Sequence, residues 1–513
     1  MTILSRIRTK IEELRGDAAL SLWPVLLAAL VVTLQHAWVQ GFFHDGNLYA
    51  AFGKNASLYG HWLVPHLSHS TYDQFFQHIP FVFVLEGLFF KLFGASYLTA
   101  RLFSAFFTLL SLICLYRFLL QQKEKKWAFL SAALFVFIPP LIKKTRFPNL
   151  DVPLMCFMLL ALFSYYRASL EGKWRQWLCC GFFFGLCLLT KGPLAFFVPI
   201  IIFVHAFLMK DFSVFKKGRA WLGFLFGLMV FSLWPLALYL NNQLPVFYDW
   251  YQATIIDTIF KGRGQESNQL TLYFVFLLKQ TNIWFVLALM GTWNFFKSRR
   301  HDRLLGLSVA WFWSLLILLS LTKFKYSNYL MPLYPAMAML AANSVRFKGD
   351  KFISYFSSIF RSLALTLGLV LLIFPLTHQS RRDIEITKSL EILKMHNYTP
   401  TAWGIVGEVF PFFNAANYIG FQSHGEVYDM SSTGLLFWLQ GEKMNPYVKL
   451  DSEENLDIHS WVFLVSKATV EQMKIRFPER FESKLSTLIY FKKKQMFLLA
   501  PREIIEKGSY LTY

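Results

Sequence analysis

Charge is scarce in this chain. Asp, Glu, Lys and Arg make up 16% of its 513 residues, while 55% are hydrophobic and Phe alone occurs 56 times. A soluble domain carries about a quarter charged residues, so a single water-shielded core cannot absorb this much apolar surface, and lipid must solvate much of the chain. Acidic residues are the scarcer sign, 31 against 51 basic ones, for a net charge of +20. A basic excess can serve nucleic acid, but membrane proteins also concentrate Lys and Arg in cytoplasmic loops, and no nucleic-acid partner is expected here. The five cysteines, Cys114, Cys156, Cys179, Cys180 and Cys187, all lie in apolar runs. They carry no metal-type spacing with histidine, which argues against a disulfide framework and for small buried apolar residues. A nucleotide-phosphate loop is also missing, since Gly262-Arg263-Gly264 is too short to form one.

Long apolar runs are what the chain does have. A crossing needs about 20 apolar residues, and candidates lie near 18–40, 97–120, 127–142, 151–169, 177–190, 194–209, 220–240, 271–296, 304–321, 329–346 and 355–377, eleven in all. The first follows Arg6, Arg8, Lys10 and Arg15; it is long for a signal peptide and lacks a clean cleavage site, so it reads as a retained span. Eleven alternating crossings put the N-terminal arm, Lys123/Lys125/Lys126, Lys173/Arg175, Lys210/Lys216/Lys217/Arg219, Lys297/Arg299/Arg300/Arg303 and Arg346/Lys348/Lys351 on one side. The positive-inside rule makes that side cytoplasmic. Loops 41–96, 143–150, 190–193, 241–270 and 322–328 then face outward, with everything after about 378. The short apolar piece Ile79 to Phe93 contains Glu86 and Lys91 and reads as an interfacial amphipathic helix rather than a crossing. Residues 1–378 form the membrane domain, and 379–513 return to soluble composition. There Trp461–Ser466 reads as a strand, Ala468–Arg476 as a helix, and Leu488–Lys493 with Gln495–Ala500 as a hairpin. The expectation is a mainly α, polytopic membrane protein with a small soluble α/β C-terminal domain.

The outward loops hold the candidate chemistry. Asp45 stands in Phe43-His44-Asp45-Gly46-Asn47-Leu48-Tyr49, just after the first span, and Asp151 opens the fourth span after Lys143-Lys144-Thr145-Arg146-Phe147-Pro148-Asn149-Leu150. Asp45 would sit at a helix end near the interface, and Asp151 at a helix start, where the dipole favours a carboxylate; helix capping is the plain alternative for each, and a simple turn with Gly46 is a further one for Asp45. Cations gather at the same level: Lys191 in Leu189-Thr190-Lys191-Gly192-Pro193, Arg263, Lys323 and Lys325, with His78 in Gln77-His78-Ile79-Pro80. Cations kept outside against the usual bias suit an anion such as a lipid phosphate, although side chains snorkelling to headgroups would leave the same pattern.

In order along the chain, these motifs resemble the GT-C superfamily in its dolichyl-phosphate-mannose protein mannosyltransferase and aminoarabinose transferase branch, from about residue 20 to 345. Asp45 is similar to the family's first-loop acid, although Gly46 stands where many members carry a second acid. Gln77-His78-Ile79-Pro80 with Leu92-Phe93-Gly94 resembles a Lys/His-Pro-Pro stretch and its closing Phe-Gly, with Ile79 at the first Pro. Asn149-Leu150-Asp151-Val152-Pro153-Leu154, Leu189-Thr190-Lys191-Gly192-Pro193 and Tyr329-Leu330-Met331-Pro332-Leu333-Tyr334-Pro335 are similar to three further motifs. The resemblance implies a GT-C fold and an enzyme of a bacterial inner membrane, with its N-terminus cytoplasmic and its C-terminal domain periplasmic. It implies inverting transfer of a sugar from a polyprenyl-phosphate donor to a hydroxyl of a glycolipid, polysaccharide or protein. Asp45 would be the general base, and Asp151 would position the acceptor or a cation. His78, Lys191, Arg263, Lys323 and Lys325 would hold the lipid phosphate, and Tyr49 and Tyr329 would line the pocket. No cofactor is assigned; a divalent metal cation is compatible with the resemblance, although no ligand cluster stands out for it. The rival reading is a flippase for lipid-linked sugars, although transporters usually place ionisable residues at mid-membrane.

Overall fold

A computed structural model describes residues 20–39, 41–42, 44–67, 72–122, 124–257, 265–266, 269–298, 302–346, 350–374, 384–395, 397–398, 400, 402–406, 426–430, 461–492 and 495–502. Two compact units emerge. One comprises residues 1–38, 76–82 and 98–378, the other 39–75, 83–97 and 379–513.

The first unit is helical. Among the described residues, five stretches are long and apolar enough to cross a membrane: Tyr97–Gln121, Asp151–Glu171, Trp174–Leu208, Gly218–Leu240 and Arg303–Leu321. A sixth forms if Leu272–Thr281 and Ile283–Lys297 are counted together. Shorter apolar helices, Trp23–Leu34, Lys125–Val136 and Tyr334–Arg346, fall where further spans are expected. The Gly218–Leu240 helix exposes Leu222, Leu225, Met229, Leu233 and Leu236, each more than half open. An apolar stripe of that length in water would be an aggregation site, whereas lipid solvates it. The chain is an integral membrane protein.

The Trp174–Leu208 stretch is not one straight rod. Trp177 packs on Tyr165 with ring centroids 6.0 Å apart, and the Tyr165 hydroxyl lies 2.8 Å from His205 Nδ1. Between them, Lys191 reaches Asp151, the first residue of the Tyr165 helix. The chain therefore rises from Trp177 to Lys191 and returns by His205, as the two expected spans at 177–190 and 194–209 require. The reversal sits at Gly192, whose φ of +29° suits glycine. His205 is satisfied within the membrane, since Nε2 donates to Arg303 O at 3.0 Å and Nδ1 accepts from Tyr165. The expected span 271–296 is a different case. It bends by 115° at Asn282, which has a φ of +44°, so the apolar run hides a break that no proline or glycine marks.

Polar contacts sort the loops of this unit onto two ends. At one end the Arg346 guanidinium meets Glu124 at 3.2 Å and Asp302 at 3.4 Å and lies 4.3 Å over the Trp127 ring. Arg303 pairs with Asp211, and Arg219 donates to Gly172 O at 2.6 Å. These are the basic loops expected to share a side. At the other end two buried arginines finish the first helix. Arg101 donates to Ala37 O at 2.7 Å and Arg146 O at 3.1 Å, and Arg146 donates to Val32 O at 2.5 Å and to Gln35 O. Cations at a helix C-terminus satisfy carbonyls that have no partner inside the helix.

The second unit contains a helix that the apolar pattern did not announce, His44–Tyr59, and the Phe81–Phe93 helix runs on into it. Gly53 lets the two approach. A Cβ there would meet Glu86 Cγ at 3.1 Å, and one at Gly87 would lie 2.8 Å from Gly53 O. Glu86 is 1% exposed, and its Oε1 has no hydrogen-bond partner. Burial raises its carboxyl well above the usual range, so folding takes up a proton. The stability tied to that proton is complete below the ordinary Glu value of about 4.3 and is lost as pH rises toward the raised one. Glu86→Gln should therefore raise the melting temperature in detergent at pH 8, with the gain shrinking toward pH 4.5.

The C-terminal part of this unit is a five-stranded sheet in the spatial order 426–430, 402–406, 461–466, 496–501, 485–491. The first three strands are parallel and the last two antiparallel to their neighbours. Trp461–Ser466, the helix Lys467–Arg476 and the final hairpin fall within a few residues of their expected places. Phe463, Val465, Met473 and Leu499 pack in its core.

Candidate active site

The Asp151–Glu171 helix starts from an Asn149 cap. Asn149 Oδ1 accepts from the Asp151 and Val152 amides at 3.0 and 2.9 Å, while its Nδ2 donates to Lys144 O and Phe147 O. Capping is thus done by Asn149, and the Asp151 carboxylate is left for another task. Its Oδ1 takes the Lys191 ammonium at 2.5 Å, and both side chains are largely buried. Lys191 also lies 5.1 Å from the centroid of the Tyr329 ring, a cation–π contact. The pairing follows from the hairpin, because helices of similar length leave Gly172 in both directions and so bring Asp151 opposite Lys191.

Lys191 and Tyr329 line a cavity of about 420 Å³ in the first unit, within the range of small-ligand sites. Thr190, Gly192, Pro193, Thr254 and Thr322 contribute to its wall, with Trp250, Phe197 and Leu319 as apolar surface and His78 and Lys323 as further basic groups. Trp250 is fixed over the Gly192 turn, where a glycine Cβ would meet its Cζ2 at 3.1 Å. It packs on Trp234 with centroids 5.6 Å apart. Thr254 lies in a π-helical turn, Gln252–Ile256, and donates to Gln77 O at 3.3 Å, tying that turn to the His78 loop.

The expected site residues are distributed as follows. His78, Lys191, Lys323 and Tyr329 border the cavity, and Asp151 stands behind Lys191 without lining it. Lys325 is 4% exposed and also off the lining; its Nζ donates to Thr322 O at 2.5 Å, and its backbone pairs with Gln265 in a two-residue antiparallel ladder. Arg263 lies outside the described residues. Asp45 and Tyr49 belong to the second unit. There Asp45 is half-buried in the first turn of His44–Tyr59, not at the end of the first span, which stops at Leu34. Tyr49 packs on Phe83 at 5.3 Å. Burial first, and the Asp45 charge second, raise the Tyr72 phenol. On the same helix burial lowers Lys54 to about 8. Among the described residues, no three His, Cys, Asp or Glu side chains cluster as a metal would need, and all five cysteines are unpaired with one another. Trp250 and Thr254 were not anticipated. The signal for Trp250 was an aromatic run, Tyr248-Asp249-Trp250-Tyr251, in a loop expected to face outward, which reads equally well as an interfacial belt.

The chain has the GT-C fold. It superposes on ArnT of Cupriavidus metallidurans bound to undecaprenyl phosphate with a TM-score of 0.67 at 14% identity, over 94% of this chain and 97% of that one. With AglB of Archaeoglobus fulgidus, in complex with an inhibitory peptide and a dolichol-phosphate, the TM-score is 0.53 at 12% identity, over 97% and 77%. In sequence, residues 77–235 match the dolichyl-phosphate-mannose-protein mannosyltransferase family. An undecaprenyl phosphate-alpha-4-amino-4-deoxy-L-arabinose arabinosyl transferase of Shewanella sediminis is 24% identical over 357 residues, 68% of this chain and 64% of that protein. An uncharacterized protein of Aquifex aeolicus is 24% identical over 301 residues, 57% and 58%. The chain thus spans about three fifths of the length of the curated relatives it matches. Within the GT-C fold it resembles the aminoarabinose-transferase type.

Proposed function

We propose that this protein transfers a sugar from a polyprenyl-phosphate donor to an acceptor hydroxyl, at the periplasmic face of a bacterial inner membrane. In this reading the membrane domain, residues 1–378, makes eleven crossings and carries the chemistry. Residues 379–513 form a soluble periplasmic α/β domain, and the end bearing Arg346, Arg303 and Arg219 faces the cytoplasm. The observation that carries the proposal is the cavity bordered by Lys191, His78 and Lys323 within aromatic walls. Fixed cations in a site poor in water stabilise a departing phosphate strongly. Lys325 and Arg263 are the further cations proposed to add to that charge.

The proposed reaction is one displacement. The acceptor oxygen bonds to the anomeric carbon, and its proton passes to Asp45. The bond from that carbon to the phosphate oxygen breaks with its electron pair on the lipid phosphate. A single displacement inverts the anomeric configuration. Tyr49 and Tyr329 are the proposed pocket aromatics.

The test is transfer of labelled sugar from undecaprenyl-phosphate donors, in liposomes holding the purified chain, to glycolipid, polysaccharide and peptide acceptors. Labelled product of inverted configuration is expected. Movement of the donor between leaflets without product would make the chain a flippase instead.

A further inference from the structure

Resting on that proposed function, we infer that Asp151 is a positioning residue, which aims the Lys191 ammonium at the lipid phosphate and touches neither donor nor acceptor. Four observations carry this. Asp151 is 3% exposed and absent from the cavity lining, while Lys191 belongs to it. The helix start that Asp151 could have capped is capped by Asn149. Its Oδ1 is taken by the ammonium at 2.5 Å. The same ammonium faces the Tyr329 ring at the cavity wall. A lysine side chain has four rotatable bonds whose freedom must be given up on binding, so a flexible ammonium is a poor phosphate clamp until something fixes it. The buried carboxylate and the ring do so, one from behind and one from the side. An acceptor-binding acid, by contrast, would have to present an oxygen to the cavity.

The experiment measures undecaprenyl phosphate binding to the purified full chain by native mass spectrometry, together with donor and acceptor KM in the transfer assay. Asp151→Asn should weaken undecaprenyl phosphate binding and raise donor KM by tenfold or more, leaving acceptor KM within twofold. Introduced into a Lys191→Met background, the same change should weaken binding no further, because the group it acts through is gone. Lys191→Gln serves as that background if the Met variant does not accumulate. Unchanged binding in Asp151→Asn, equal losses in both backgrounds, or a rise confined to acceptor KM would each overturn the assignment. A wild-type chain that binds undecaprenyl phosphate but transfers no sugar would sink the proposed function while the binding cycle still decides the role of Asp151.

Discussion

Asp45→Asn should lower sugar transfer by about 10²–10⁴-fold, the range general-base assistance supplies, while the protein accumulates normally and still binds undecaprenyl phosphate. The substitution preserves shape and removes the proton-accepting charge. Asp45 lies in the first turn of His44–Tyr59, where a negative charge contributes about 0.3–1 kcal/mol through the helix dipole. Asn is itself a favoured residue at helix starts, so the fold should lose little. The loss should fall on kcat, because a base acts on the acceptor proton as the bond forms and holds neither partner beforehand. Donor KM should stay within a few-fold of wild type. That is the opposite split from Asp151→Asn, and the two variants together separate an acid that takes the proton from one that holds a cation. If Asp45→Asn transfers sugar at the wild-type rate, the proton leaves by another route and the base assignment fails.

Much of this arrangement was legible before the structure, for definite reasons. The basic clusters predicted one shared side, and Arg346, Glu124, Asp302, Arg303 and Asp211 meet at one end of the membrane unit. The motifs around Asp151 and Lys191 were visible, and so in principle was their pairing, since the two residues stand at similar distances from Gly172. What hid it was the competing explanation of Asp151 as a cap, which only the Asn149 geometry removes. His44–Tyr59 was missed because Gly46, Asn47, Gly53, Lys54 and Asn55 interrupt any apolar stripe. Most of it is buried all the same, because Phe75, Phe83, Glu86 and Phe90, a few tens of residues further on, pack against Phe52 and Gly53. The break at Asn282 was missed because it adds no proline or glycine to an apolar run. Trp250 borders the cavity only because the Gly192 turn has no side chain to push it away, a relation between positions with no local signature.

Gly181→Val should abolish the folded protein, and the reason lies in how helices associate in lipid. Hydrophobic burial gives little drive there, so close packing across small residues has to supply it. The Trp174–Lys191 and Gly218–Leu240 helices meet at Gly181, Gly185, Gly223 and Gly227. A Cβ at Gly181 would lie 1.8 Å from Gly223 O, and one at Gly223 would lie 2.4 Å from Trp177 O. Both obstacles are backbone atoms within helices, so no side-chain rotation relieves them and the helices must move apart. Overpacking a core costs about 1–3 kcal/mol where side chains can yield, and a backbone clash should exceed that range. Gly218→Ala is the matched control, because a Cβ there meets nothing within 4 Å, and its melting temperature should stay within about 2 °C of wild type, as for a surface substitution. The measurement is the melting temperature and the monodisperse yield of both variants in detergent. The Gly181 helix also ends in Lys191, so a variant that still folds by letting the helices part should bind undecaprenyl phosphate more weakly. A Gly181→Val protein with wild-type yield, melting temperature and undecaprenyl phosphate affinity would mean that the two helices do not pack this closely.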